Sequence, residues 1–204
     1  MLVKPSNYDE IQVNQEFEKL ELGGHIGIIK NIEEYTSTIS GNTSLKVEVD
    51  TATDDKQPSY FQKQYNENTN TDKRWSSSGT KYVSLKQDEK CIKMLKAFIT
   101  SVEKSNNGFK YDWNKEVDQL KGKRVGLIFG LEEYENDKGE IKTATKITQF
   151  RSIDKVDDTK IPNVRLLDNT YVEYENYKSN TKTTNSNPFE GLDDVVEIGD
   201  NFLD

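Results

Sequence analysis

Cysteine and histidine each occur once in this sequence, at Cys91 and His25. A lone cysteine closes no intrachain disulfide, which fits a reducing compartment, and it excludes two-cysteine zinc spacing. His25 follows Gly23-Gly24 at a strand start, has no partner nearby in sequence, and reads as a structural or surface histidine. Phosphate-loop and Rossmann glycine patterns are missing. The adjacent acids Glu132-Glu133 and Asp157-Asp158 would point to opposite faces of a strand, so neither pair suits a shared metal. No catalysis, cofactor or metal is therefore expected. No apolar run approaches the roughly 18–20 residues of a membrane span. The opening Met1-Leu2-Val3-Lys4-Pro5 lacks the apolar run of a secretory signal. The expectation is a protein of the cytoplasm with no membrane contact.

Apolar residues are also scarce. They make up 32% of the 204 positions, against 31% charged, enough for one small core with extensions on either side. The formal charge of −8 is unevenly placed. Residues 183–204 carry six acids and no base, leaving 28 bases against 30 acids in the rest. Residues 56–96 reverse the sign, with nine Lys/Arg against four acids.

Periodicity supplies the elements. Residues 1–22 form an arm, helical around Asn14–Leu22, with Phe17 and Leu20 as its docking residues. Ile26, Ile28 and Ile32 sit at even positions in His25–Tyr35, and Leu45, Val47 and Val49 alternate with charges in Ser44–Thr53, two strand signatures. Ser40-Gly41-Asn42 marks the turn between them. Tyr60, Phe61 and Tyr65 suggest a third strand over Ser59–Tyr65. Cys91, Ile92, Leu95, Phe98, Ile99 and Val102 form one helical stripe, with Asp88 and Glu89 at its start and Asn106-Asn107-Gly108 at its stop. A shorter helix is expected through Trp113, Val117 and Leu120. Strands over Arg124–Tyr134 and Glu140–Ile153 flank the turn Asn136–Gly139.

The expected fold class is mainly β (α+β): an OB-fold-like five-stranded barrel with one main helix between strands 3 and 4, and a disordered acidic C-terminal tail. The expected divisions are an arm at 1–22, the domain at 23–165, and a flexible linker and tail at 166–204. Single-stranded nucleic acid calls for cations that follow phosphates and flat rings that accept bases. Tyr60, Phe61, Lys63, Tyr65, Lys73, Arg74, Trp75, Lys81 and Tyr82 interleave the two types. Lys142, Lys146 and Phe150 would share one face of the last strand, and Lys30 and Tyr35 lie on or near the first. The same rings equally suit a core, Phe61 above all. The tail reads either as a plain solubilising terminus or, as Pro188-Phe189, Leu192, Val195-Val196, Ile198 and Phe202-Leu203 among acids such as Asp193 and Asp194 favour, as a docking peptide.

Three stretches carry a family likeness: Phe17-Glu18-Lys19-Leu20-Glu21-Leu22-Gly23-Gly24-His25, then Lys96–Asn106, then Leu120–Lys123 with Val125–Gly130 and Glu132-Glu133-Tyr134. On them the chain resembles single-stranded DNA-binding proteins from the replication and recombination modules of bacteriophages of Gram-positive bacteria. The resemblance implies an OB-type domain that coats single-stranded DNA in a host cytoplasm. It also implies a tail that recruits phage or host replication and recombination proteins. Such tails usually finish in acids followed by Pro-Phe, whereas here that dipeptide is internal, at Pro188-Phe189, and the last residues are Gly199–Asp204. A homodimer through a strand edge is compatible with such a barrel. The rival expectation is a non-catalytic factor that binds a replication or recombination enzyme, and it gains if the bases of 56–96 are neutralised by acids in the fold. Carbohydrate binding on the same barrel would use the rings and not the lysines.

Overall fold

The computed structural model of the chain describes residues 3, 4, 6 and 18–181. Phe17, most of the expected arm helix and the expected tail, with Pro188, Phe189, Asp193, Asp194 and Phe202, lie outside the described residues. Leu20 is described, and it does dock in the core.

Strict alternation makes β2 (Thr43–Thr51) a half-buried strand: Leu45, Val47 and Val49 point inward, Lys46 and Glu48 outward. It pairs antiparallel with β1 (Gly23–Thr36) through a turn in which Ser37 N–H donates to Asn42 O and Gly41 N–H to Ser37 O. Gly23-Gly24, expected to punctuate the chain, instead begins β1. The even-numbered isoleucines of this strand do not share a face. A bulge between Ile29 and Asn31 adds one residue, Lys30, and shifts the inward set from Gly27 and Ile29 to Ile32.

The expected strand at Ser59–Tyr65 is a helix, α1 (Tyr60–Glu67). Its start is capped from a distance. Asp50 Oδ1 accepts from the backbone N–H groups of Phe61 and Gln62, at 2.9 and 3.3 Å, and Thr51 Oγ1 accepts from that of Tyr60. Ser59, the residue in the capping position, makes no side-chain cap. The third strand falls later, at β3 (Thr80–Ser84) on the outer edge of β2.

The long helix α2 (Glu89–Ser105) begins where Asp88 accepts from Cys91 N–H and buries Phe98, Ile99 and Val102, each contributing roughly 1.5–3 kcal/mol of burial. Cys91 is only half-buried and Ile92 is exposed, so the stripe seats its later turns alone. Asn106 donates to Val102 O and Arg124 O and accepts from Arg124 N–H, tying the end of α2 to the next strand. Only a 3-10 turn, Val117–Leu120, replaces the expected second helix. Leu120 is buried and Trp113 exposed. Strands β4 (Arg124–Glu135) and β5 (Ile141–Arg151) flank the turn as the sequence predicts, with Gly139 in the left-handed region.

After a 3-10 turn at Ile153–Lys155 comes β6 (Val164–Arg165), and the expected flexible linker carries β7 (Tyr171–Val172) and α3 (Tyr174–Thr181). These clasp the far end of β4. Arg165 reaches Glu132, while Leu167 N–H and the Tyr177 hydroxyl both donate to Glu133. Burial beside that carboxylate pushes the Tyr177 hydroxyl up to about 12.

The result is mixed α+β: an open seven-stranded sheet ordered β3-β2-β1-β4-β6-β7, with β5 also on β4, and three α-helices among the described residues. The hydrogen-bonded path does not close into the expected five-stranded barrel. At the opening, β3 meets β5 through Lys81, whose Nζ donates to Ile147 O at 2.6 Å, and Lys146 Nζ of β5 donates to Ser77 Oγ, in the 3-10 turn just before β3, at 2.8 Å. The main core lies on the inner face, around Ile29, Val47, Phe61, Phe98, Leu127 and Phe129. A smaller apolar contact occupies the outer face of β1 and β4, where Val156 lies against Gly24 and Gly126 beside buried Ile128. Among the described residues no helix is long and apolar enough to cross a membrane.

Candidate nucleic-acid interface

The ring residues divide by face. Tyr35 and Tyr82 are 40% and 49% exposed, on strands separated by β2, and their rings meet with centroids 5.4 Å apart. They come together because the bulge at Lys30 sets Glu33 and Tyr35 outward opposite Lys46 and Ser44, which in turn face Tyr82 and Ser84. Beside them Lys46 bridges Glu33 at 3.2 Å and Glu48 at 2.7 Å, and these carboxylates raise its pKa. Lys30, the extra residue of the bulge, is exposed.

Tyr65 and Trp75 form a second pair, with centroids 5.8 Å apart and Lys73 Nζ over the Tyr65 ring. Trp75 is half-buried and its indole N–H donates to Val49 O, so one edge of the ring is committed to the scaffold. Lys63 and Arg74 lie exposed nearby in sequence, Arg74 paired with Asp72 at 2.9 Å. Lys146 reaches this region through Ser77, while Lys142 stays on its own hairpin with Glu140 at 3.7 Å.

Two expected platform residues belong to the interior. Tyr60 packs on the core, and its hydroxyl accepts from Leu20 N–H and Gln64 Nε2. Phe150 is buried against Phe98, with ring centroids 4.6 Å apart, and does not share a face with Lys142 and Lys146. The reason is a second bulge: Ile128 pairs with Gln149 but Phe129 with Ile147, so Thr148 is extra and the alternation reverses beyond it. Phe61 is likewise buried. An exposed ring that sequence reasoning passed over is Trp113, edge-on to Tyr111 at 4.8 Å. It was hidden by being assigned to a helix face.

The bases of 56–96 are not broadly neutralised. Lys56, Arg74 and Lys93 pair with Glu21, Asp72 and Glu89, whereas Lys63, Lys86, Lys90 and Lys96 are exposed with no carboxylate within 4 Å among the described residues.

His25 is neither on the surface nor without a partner. Its ring is buried, with Nδ1 at 2.8 Å from Asp55 Oδ2 and Nε2 at 3.0 Å from Glu21 O. Asp55 also accepts from Ile26 N–H and Gln57 N–H. Burial works against the Asp55 carboxylate, but His25 and the two N–H groups outweigh it and hold its pKa below the usual range. A depressed carboxylate pKa gives stability that is present above the unfolded value near 4 and is lost as pH falls through the folded value. Asp55→Asn is expected to cost about 2–3 kcal/mol at pH 7, and the gap from the native protein should narrow toward pH 3. Urea unfolding at the two pH values checks this, and a gap unchanged with pH would refute it. Among the described residues no three His, Cys, Asp or Glu side chains group as metal ligands. No family model matches the chain and no curated protein matches its sequence, which leaves the residues themselves to carry a functional assignment.

Proposed function

We propose that the protein is a non-catalytic binder of single-stranded DNA whose domain is an OB-type barrel. The strand connectivity β3-β2-β1-β4-β5 with α2 between β3 and β4 supports that architecture, Lys81 bridging from β3 to β5 and Lys146 from β5 to the turn before β3 in place of a ladder. The observation that carries the function is the Tyr35–Tyr82 pair. Two rings stand exposed on the outer face of the sheet, packed on each other and available to bases. Lys73 lies over a ring of the second pair, and Lys63 and Arg74, exposed and nearby in sequence, add charge for phosphates. The acidic segment 183–204 serves as the docking peptide for replication or recombination proteins, its acids interleaved with apolar residues.

Titration with labelled single-stranded and duplex oligonucleotides of equal length tests the proposal. Single strands should bind preferentially, and more weakly as salt rises. Tyr35→Ala and Tyr82→Ala should each cost about 1–3 kcal/mol, roughly 5- to 150-fold in affinity, with a loss of stability of about 1 kcal/mol from the broken ring pair. Binding of neither nucleic acid by folded protein would overturn the proposal in favour of a protein-interaction factor.

A further inference from the structure

On the flank of the sheet, α2 faces β3 and the end of β5 across a cleft of about 580 Å³. Lys93, Lys96 and Lys104 enter it from α2, Lys81 from β3, Arg151 from β5, and Lys155 from the turn that follows. No carboxylate lines it, on a chain with 36 acids and 28 bases. Lys93 pairs with Glu89 at the rim, and Asp154 lies in the adjoining hollow with Lys104 and Arg124. Lys96, Lys104 and Lys155 have no carboxylate within 4 Å among the described residues. Lys96, Thr100 and Lys104 repeat every four residues on α2, a row about 12 Å long. Arg151 and Lys155 supply cations beyond α2, while Thr148, Gln149 and Ser152 add hydrogen-bonding groups.

We propose that this cleft is a second nucleic-acid site, holding the phosphodiester backbone of a single strand that continues past the tyrosine pair. The proposal rests on the function argued above. β3 is the wall common to both places: Tyr82 stands on its outer face, and the preceding residue, Lys81, lines the cleft. A linear polyanion with a charge on every unit matches a cleft lined by cations and no carboxylate, Asp154 lying outside the lining. The alternative occupant, an acidic peptide such as residues 183–204, has at most two adjacent acids, Asp193-Asp194, and spaces the others among apolar residues.

The test uses the full chain and a triple variant, Lys96→Gln with Lys104→Gln and Lys155→Gln, all three exposed so that folding is retained. A comparison triple, Lys110→Gln with Lys115→Gln and Lys121→Gln, removes the same charge from the loop after α2. Each protein is titrated with a labelled oligothymidylate at several salt concentrations, and with a labelled peptide of residues 183–204. The cleft triple should bind the strand about tenfold or more weakly at moderate salt, and its log–log salt slope should fall by about 2, as for three lost phosphate contacts. The comparison triple should behave as the native protein. Native-like strand affinity and slope in the cleft triple would overturn this site and leave the proposed function standing. A native protein that binds no strand overturns that function, and this site with it. Loss of peptide binding with strand binding retained overturns it in favour of an acidic peptide.

Discussion

Asp50→Ala is expected to cost about 3–4 kcal/mol, the larger part of it through α1 rather than through β2, where the residue sits. The buried carboxylate accepts from the N–H groups of Thr51, Phe61 and Gln62 through one oxygen. Removing it leaves two N–H groups of the first turn of α1 without their acceptor, at about 1–3 kcal/mol for each donor stranded away from water. An eight-residue helix has no stability of its own to offset that loss. Phe61, which α1 seats against Phe129, would lose its anchor as well. For a domain of this size the melting temperature should fall by about 6–16 °C. Asp50→Asn is the informative partner. Burial raises the Asp50 pKa despite its N–H donors, so the negative charge is disfavoured there relative to water, and an amide oxygen can accept the same bonds. Asparagine should therefore cost only about 1 kcal/mol. Thermal unfolding of both variants decides the matter, and alanine as harmless as asparagine would sink the capping role.

Gly24→Ala is expected to be comparably damaging for a steric reason. A β-carbon there would stand 2.1 Å from Val156 O and 2.6 Å from Val156 C, and backbone atoms cannot swing aside as the tip of a side chain can. Overpacking of this kind costs about 3 kcal/mol or more. The cheapest relief is for the turn at Ile153–Lys155 to lift off the outer face, uncovering Val156 and Ile128. Trypsin should then cut after Lys155 in the variant under conditions that spare the native chain, alongside a drop of about 6–12 °C in melting temperature. Gly41→Ala, at a left-handed turn position with nothing within 4 Å, should lose only about 1 kcal/mol. Equal damage at both glycines would refute the contact with Val156 as what makes Gly24 indispensable.

These two residues also mark where the sequence was legible and where it was not. The alternation in β2, the stripe of α2 with Asp88 at its start, and the turn at Asn136–Gly139 are local signals. Each is satisfied within a few neighbouring residues, and each element formed where it was expected. The errors arose wherever the deciding partner was distant. Tyr60–Glu67 became a helix because its cap comes from Asp50 and Thr51, and nothing at Ser59 announces it. Gly23-Gly24 looked like punctuation, although Gly24 is small because a turn some 130 residues later packs on it. Single-residue bulges at Lys30 and Thr148 inverted the faces beyond them, which split the isoleucines of β1 and sent Phe150 inward. For the candidate site the ring and charge types were visible in composition, but their grouping was not. Tyr35 and Tyr82 are brought together across β2, while the cations of the flank cleft come from α2, β3, β5 and the turn after β5. No one-dimensional window contains either set.

The sharing of β1 between β2 and β4 has a consequence in time. Its second half meets β2 across a six-residue connection, as soon as that short hairpin has been made. The other edge of its first half, Gly23–Ile28, must wait for residues 124–129, about a hundred positions further along. At the pace of a ribosome, roughly 5–20 residues per second, that interval lasts about 5–20 s. For those seconds His25, Ile26 and Ile28 are held on one side by residues 50–55 but bare along the edge that β4 will cover, and a nascent chain is most open to wrong company there before its one hundred and twenty-fourth residue has emerged.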